Sequence, residues 1–271
     1  MKVVFDKYHG NGNDFIIVDG IKNSFNHINP EKIKSICDRN TGIGSDGFII
    51  IKSNDQCDYE MVYYNSDGNI GSFCGNGARC AVHFILKNEI LKKVSKFKAF
   101  DGYHYVNVQG NTISISINQV DSYKKIKGDF FIDTGSPHLV KFNQNLEKLN
   151  IEDEFKHAQE SKLIEGGVNV NFVSKKDKNT YQARTYERGV NAETLSCGTG
   201  AVAIALCSKL NYNHNEPIIH VITKGGKLSV NFNYNENKFF DIFLVGNAKF
   251  VYTGNFNLWK QFLEFLQQFL F

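Results

Sequence analysis

No uninterrupted apolar stretch in this 271-residue chain approaches the roughly 18 residues of a membrane span. The opening residues, Met1-Lys2-Val3-Val4-Phe5-Asp6, lack the apolar core of a signal peptide and read as a first strand. These absences set the expectation of a soluble cytoplasmic protein without a membrane partner. Charge of one sign is missing too: 31 Lys and Arg stand against 28 Asp and Glu, a formal net charge of +3, with no dense basic run. That balance argues against a nucleic-acid or polyphosphate partner. Six cysteines (Cys37, Cys57, Cys74, Cys80, Cys197 and Cys207) are too few for a disulfide scaffold of this length, and a reducing compartment keeps them as thiols. There is no CxxC pair. Six helical residues span about 9 Å, so Cys74 and Cys80 cannot share one tetrahedral metal with His83, and no metal is expected. The Gly-rich turns match no dinucleotide or P-loop fingerprint. Gly10-Asn11-Gly12-Asn13-Asp14 leads into a strand, and no Gly-Lys-Ser/Thr follows any turn, so no nucleotide cofactor is expected.

What is present is a globular composition, 42% hydrophobic and 22% charged, enough for one large domain or two modest ones. Only three prolines accompany 23 glycines, so turns fall to Gly, Asn and Asp. An internal repeat organises the chain. Cys74-Gly75-Asn76-Gly77-Ala78 resembles Cys197-Gly198-Thr199-Gly200-Ala201 at an offset of 123 residues (197 − 74), and Gly12/Gly135, Gly44/Gly167, Tyr63/Tyr186, Asn88/Asn211 and Gly102/Gly225 keep that register. A constant offset over most of the chain reads as an internal duplication.

Each half follows one plan. A strand (Phe15–Val18 or Leu139–Phe142) precedes a Gly-rich turn and a second strand (Gly47–Ile51 or Val170–Val173). A third (Glu60–Tyr64 or Tyr181–Tyr186) leads to the cysteine, then an apolar helix runs from Ala78 to about Lys87 or from Ala201 to about Lys209. Ala-Val-Ala-Ile-Ala-Leu in the second helix is apolar on all sides, which predicts enclosure by sheet. Alternating strands such as Thr112–Ile117 close each half. The fold class is α/β of the α+β type: two pseudo-symmetric domains, each an antiparallel-rich sheet around a central helix. The boundary is expected between residues 118 and 128, dividing 1–122, which carries Cys74, from 123–271, which carries Cys197. The tail from Leu258 to Phe271 places large apolar residues at i, i+3, i+4 and i+7 and reads as an amphipathic helix packed on its own domain or a dimer partner. Lys260 and Glu264 cancel, whereas membrane-surface helices are basic.

A cysteine just before Gly-x-Gly and a helix lies in the positive field of the helix N-terminus. That field favours thiolate and is expected to lower the pKa from about 8.5 toward neutrality. The glycines free backbone N–H groups for an anion such as a substrate carboxylate. If the halves pack about a pseudo-twofold axis, both helix starts enter one cleft. A carboxylate held by both would leave its α-carbon between two sulfurs, one removing the α-proton and the other supplying a proton to the opposite face. Cys37, Cys57, Cys80 and Cys207, without a following Gly-x-Gly, read as packing residues.

At these residues the chain resembles the diaminopimelate epimerases. The matching segments are Tyr8-His9-Gly10-Asn11-Gly12-Asn13-Asp14-Phe15, Thr41-Gly42-Ile43-Gly44-Ser45-Asp46-Gly47, Asn65-Ser66-Asp67-Gly68 and Cys74 through Cys80 in the first half. The second half adds Gly135-Ser136-Pro137-His138, Gly167 through Phe172, and Tyr186-Glu187-Arg188-Gly189 running to Cys197-Gly198-Thr199-Gly200. The resemblance implies two pseudo-symmetric domains closing on a small-molecule substrate without a cofactor, a homodimer, and conversion of LL-2,6-diaminopimelate to the meso form for lysine and peptidoglycan synthesis. It makes Cys74 and Cys197 the acid/base pair, with His138 and Glu187 beside the thiols, tuning them and meeting the substrate ammonium. Gly75, Asn76, Gly198 and Thr199 would offer backbone donors to the reacting carboxylate, and Asn13, Asn65, Asn169 and Arg188 would hold the other polar groups. Arg188 is the natural bidentate partner of the distal carboxylate.

Three departures stand out. Many members of that family carry Asn where Ser136 stands, some carry Gln at Gly47, and the stretch from Arg188 to Cys197 is one residue longer than the commonest form. Two other functions fit the thiols: a proline or hydroxyproline racemase of the same fold, against which Arg188 and the Asn set argue, and a non-enzymatic thiol redox or metal-binding protein.

Overall fold

The structure is a computed structural model that describes residues 2–23, 25, 28–160, 167–188, 190 and 192–258. The expected C-terminal helix lies outside the described residues apart from Leu258, which is buried. The first half folds as β1 (Lys2–Gly10), β2 (Asn13–Asp19), α1 (Pro30–Cys37), β3 (Gly47–Lys52), β4 (Tyr59–Asn65), α2 (Gly75–Lys87), β5 (Lys96–Ala99), β6 (Gly102–Gln109) and β7 (Thr112–Ile117). Two short strands follow, β8 (Tyr123–Ile126) and β9 (Asp129–Asp133). The second half continues with β10 (Pro137–Lys141), α3 (Ile151–Glu160), β11 (Asn169–Lys175), β12 (Thr180–Glu187), β13 (Ala192–Thr194) and α4 (Gly198–Tyr212). It ends with β14 (Ile218–Thr223), β15 (Gly226–Asn235), β16 (Lys238–Asn247) and β17 (Lys249–Asn257).

Strand pairing repeats the duplication. β2 and β3 run parallel, as do β10 and β11, and β4 and β5 run parallel, as do β12 and β14. The remaining pairings are antiparallel, and β7 joins β16 across the middle, with Ile115 opposite Leu244. The pairing of β8 with β9 repeats that of β17 with β1, which runs from Lys2/Asn257 to His9/Lys249. On strand order β8, just past the expected boundary at residue 122, is thus the last strand of the first repeat and pairs with the second, as β17 ends the second and pairs with the first.

Both central helices are enclosed by strands. α2 packs on β1, β2 and β7, and α4 on β15, β10 and β14. Every residue of α4 from Gly198 to Ser208 is buried. Burying Val202, Ile204 and Leu206 stabilises the fold by roughly 1.5–3 kcal/mol each. One apolar cluster runs through both halves, from Phe15, Ile17 and Ile49 around α2 to Val202 and Ile204 in α4. The outer sheet faces are covered by α1, whose Ile33 and Ile36 meet Ile16, Val18 and Phe48, and by α3, whose Ile151 and Phe155 meet Val170 and Phe172. Coverage on both faces is why Phe15-Ile16-Ile17-Val18 is an unbroken apolar run. The β1–β2 hairpin turns through Asn11 and Gly12 at φ 54° and 84°, the pair of positive angles a two-residue type I′ turn requires.

Candidate active site

The duplicated frame brings the starts of α2 and α4 together. A Cβ added to Gly198 would stand 3.6 Å from both the Asn76 amide nitrogen and Gly75 Cα. Leu244 of β16 lies against both starts: its Cδ2 would be 2.6 Å from a Cβ on Gly75 and 3.1 Å from one on Gly198. Close approach, rather than backbone angle, therefore holds glycine at both positions. The helices begin three residues earlier than the apolar pattern indicated, with Cys74 and Cys197 as their N-caps. The first amide bonded within each helix is that of Ala78, to Cys74 O, or Ala201, to Cys197 O. The N–H groups of Gly75, Asn76, Gly198 and Thr199 are the ones a bound anion can use.

The two sulfurs have different surroundings. Cys74, half-buried, accepts the Gly77 N–H at 3.4 Å and lies 3.8 Å from Asn13 Oδ1. Cys197 is buried, makes no capping hydrogen bond, and sits 3.5 Å from Thr199 Oγ1. Burial pushes the Cys74 thiol up to about 11, although the Gly77 N–H and the Arg79 charge pull the other way. Burial, then the Glu187 carboxylate, pushes the Cys197 thiol well above its ordinary value. The helix field was expected to lower both; desolvation outweighs it at both sulfurs.

Around Cys74 the arrangement is charged. Asn13 Nδ2 donates to Asp46 at 2.8 Å, and Asn76 Nδ2 donates to Asn13 Oδ1 at 3.3 Å and to Ser196 O at 3.0 Å. Arg39 bridges Asp14 and Asp46 at 2.7 Å each, and Lys7 reaches Asp14 at 2.7 Å. Burial alone would raise the Asp14 carboxyl, but its Arg39 and Lys7 partners hold it at about 2.

Behind Cys197 runs a hydrogen-bonded chain of neutral side chains. Asn171 Nδ2 donates to Leu139 O and to His138 Nδ1, while its Oδ1 accepts from Thr185 Oγ1. That pattern makes His138 Nδ1 the acceptor, so Nε2 carries the proton and donates to Thr199 Oγ1 at 2.9 Å. The Thr199 hydroxyl is then free to donate toward Cys197 Sγ. Burial, then the Arg188 charge, lowers the His138 imidazole to about 3 and keeps it neutral.

The other predicted binding residues have partners of their own. Glu187 accepts from Thr194 Oγ1 at 2.6 Å, and burial raises its carboxyl above the usual range. Asn169 is buried and donates to Ser136 Oγ and Pro137 O, while its Oδ1 accepts the Arg188 N–H. Ser136, the departure noted in the sequence, thus serves Asn169. Arg188 is exposed, with Nη1 donating to Gly167 O at 3.2 Å. Asn65 is exposed at the end of β4 opposite Gly47, and its side chain has no protein hydrogen bond among the described residues. His138 does not touch a sulfur: Thr199 stands between them, and both ring nitrogens are engaged. Arg79, Asn171, Thr185 and Asp46 join the site without a signal of their own in the sequence, although Arg79, Asn171 and Asp46 stand inside the matching motifs. Among the described residues no three His, Cys, Asp or Glu side chains cluster to hold a metal.

The sequence model of the family described as diaminopimelate epimerase matches residues 5–124 and 130–251. The diaminopimelate epimerase of Flavobacterium psychrophilum is 42% identical over 248 residues, covering 91% of this chain and 97% of the relative. That of Chlorobaculum tepidum is 36% identical over 260 residues, covering 92% and 99%. Among solved structures, a phenazine biosynthesis protein of the PhzF family from Bacillus anthracis superposes with a TM-score of 0.75 at 14% identity, over 95% of this chain and 99% of that one. A hydroxyproline epimerase from Agrobacterium vitis, with bound trans-4-hydroxy-L-proline, gives 0.69 at 9% identity, over 94% and 92%. At those identities the likeness is one of fold.

Proposed function

The chain belongs to the diaminopimelate epimerase family, an isomerase that converts LL-2,6-diaminopimelate to the meso form in lysine biosynthesis, and we propose that Cys74 and Cys197 are its acid/base pair. The observation that carries this reading is the meeting of two cysteine-capped helix starts across Gly75 and Gly198. One thiolate takes the α-proton, and the opposing thiol gives its proton to the other face of the same carbon. The product leaves with inverted configuration and the two sulfurs have exchanged protonation states. A thiol with a raised pKa is a stronger base once ionised, which suits a weakly acidic α-proton. No cofactor is called on in this scheme.

The amides of Gly75, Asn76, Gly198 and Thr199 aim at the reacting carboxylate, where charge grows as the α-proton leaves. Asn13 and Asn65 line the first-half side, and Asn169 and Arg188 the second. Arg188 offers the distal carboxylate a two-point partner, and Glu187 is placed to meet the ammonium and hold the Cys197 proton. His138 acts through Thr199 and is a positioning residue. We assign the enzyme to the cytoplasm as a homodimer, in line with a biosynthetic role.

Incubating reduced protein with LL-diaminopimelate in D2O tests the scheme. Solvent deuterium should appear at the α-carbon together with the meso isomer. Meso product without deuterium, or no exchange by folded protein with free thiols, would overturn it.

A further inference from the structure

Arg79 is fully buried in the first full turn of α2, yet none of the described carboxylates pairs with it. Its guanidinium donates only to neutral oxygens: Gly75 O at 3.1 Å, Asn76 Oδ1 at 2.6 Å, Asn11 Oδ1 at 3.4 Å and Asn247 O at 3.5 Å. Gly246 makes room for it, since a Cβ there would lie 3.0 Å from Arg79 Nε. A buried cation normally has an anion beside it, because desolvating a lone charge is costly. A fold that keeps one unpaired beneath a catalytic helix start points to an anion that comes and goes.

The bonds to Gly75 O and Asn76 Oδ1, the two residues after Cys74, put the guanidinium at the start of the helix, and the charges it couples to are the Cys80 and Cys74 sulfurs. Cys80 is fully buried and has no hydrogen-bond donor, so it stays a thiol. Cys74 has the Gly77 N–H and the open end of the helix. The duplication supplies a comparison. At the offset of 123, Arg79 corresponds to Val202 (79 + 123), an apolar residue in the core, and the group beside Cys197 is the Glu187 carboxylate. Cation behind one sulfur and carboxylate beside the other is an uneven arrangement for two thiols that share one chemistry.

Building on the two-thiol reading, we propose that Arg79 is the resident counter-charge of a Cys74 thiolate, so that Cys74 is the first of the two sulfurs to ionise and the remaining proton of the pair rests on Cys197. Arg79 is then a positioning residue. It acts through charge on Cys74 and through the hydrogen-bonded path Arg79–Asn76–Asn13, which ties α2, the β1–β2 hairpin and Ser196 together. The groups facing the pair act consistently with this. Glu187 from β12 opposes ionisation of both sulfurs, Arg79 favours it at Cys74, and Cys74 itself opposes it at Cys197. Tyr63 from β4 stays protonated, pushed up by burial and by Cys74. The free enzyme is thereby set to abstract with Cys74 and donate with Cys197, and must swap its proton before the reverse cycle.

The test is alkylation by iodoacetamide without substrate, mapped to each cysteine by peptide mass spectrometry from about pH 7 to about pH 12, in wild type, Arg79→Lys and Arg79→Gln. The pH midpoint is the readout, because slow access to buried Cys197 would by itself mimic low acidity. Cys74 should titrate below Cys197 in wild type, and Arg79→Lys should keep that order. Arg79→Gln should raise the Cys74 midpoint by about one pH unit, cutting its labelling near neutrality about tenfold. A wild-type Cys74 midpoint at or above that of Cys197 overturns the proposal even if Arg79→Gln fails to fold, as does an Arg79→Gln midpoint unchanged from wild type. Failure of the two-thiol reading is separate: it would appear as turnover surviving in Cys74→Ala or Cys197→Ala.

Discussion

The two halves share a frame and differ in what they hang on it. Both pair their strands alike, cover their outer sheet with a short helix and aim a cysteine-capped helix at the same point. At that point the first half presents a charged cluster of Lys7, Asp14, Arg39 and Asp46 leading to Asn13. The second presents a neutral chain from Asn171 through His138 and Thr199. The difference suits the proposed reaction. Inversion requires two bases on opposite faces of one carbon, which a twofold frame supplies, but the four groups on that carbon are unlike, so matching side chains would serve neither face well.

Breaking the pair should have the largest effect. Cys74→Ala or Cys197→Ala should each lower kcat more than about a thousandfold, while half-buried Cys57→Ala stays within about twofold. Equal loss in all three, measured by the LL-to-meso assay, would point to misfolding. The comparison sharpens if each single variant is offered both isomers in D2O. Cys197→Ala should exchange the α-hydrogen that faces Cys74, and Cys74→Ala the one that faces Cys197. Exchange of both by one variant would mean that a single base reaches both faces.

Next come the glycines at the helix starts. A methyl on Gly75 meets Leu244 at 2.6 Å, and one on Gly198 meets it at 3.1 Å. Gly75→Ala should therefore destabilise more than Gly198→Ala, by about 1–3 kcal/mol against less. Urea unfolding of both variants decides; the reverse order would show that Leu244 yields on the first-half side.

Much of this was readable in advance. The 123-residue offset announced the duplication, both thiols and the turn geometry, because a glycine needed for close approach leaves a fixed mark in sequence. The helix starts were placed three residues late, since Gly-x-Gly reads as loop unless the preceding cysteine is seen as a cap. α1 carries its own signal, Asn29 capping the Lys32 N–H with Pro30 at the first position, but it is short and polar outward. The exchange of β8 and β17 left no local trace, for β1 and β17 meet across some 250 residues and β17 is largely exposed. Asn171 and Arg79 carry no sequence signal of their roles, because hydrogen-bond paths through buried side chains have no sequence period.

Acid should then separate the halves. Burial, then Arg188, lowers His138 to about 3, so the folded state resists protonating it. Stability from this group is present above the unfolded value of about 6.5 and is lost as pH falls toward about 3. Asp14, held at about 2 by Arg39 and Lys7 against its burial, contributes above about 3.9 and is lost only as pH falls toward about 2. His138→Gln should flatten the stability profile in the upper window. Asp14→Asn should flatten it in the lower, with a cost near neutrality of about 2 kcal/mol. Urea titrations near pH 5 and pH 3 would expose an error in either assignment if the His138 variant changed only the lower window.

The exchanged strands also bear on how such a chain could arise. A single repeat, made alone, would carry its last strand outside its own sheet and leave the edge of its first strand bare. A second identical copy would satisfy both needs at once, by reciprocal donation, as a domain-swapped dimer. Gene fusion of that dimer would yield this topology, with the short turn between β8 and β9 as the joint. On that view the cleft between the helices was first a subunit boundary, and the covalent link freed each side to mutate independently, which identical subunits could not do.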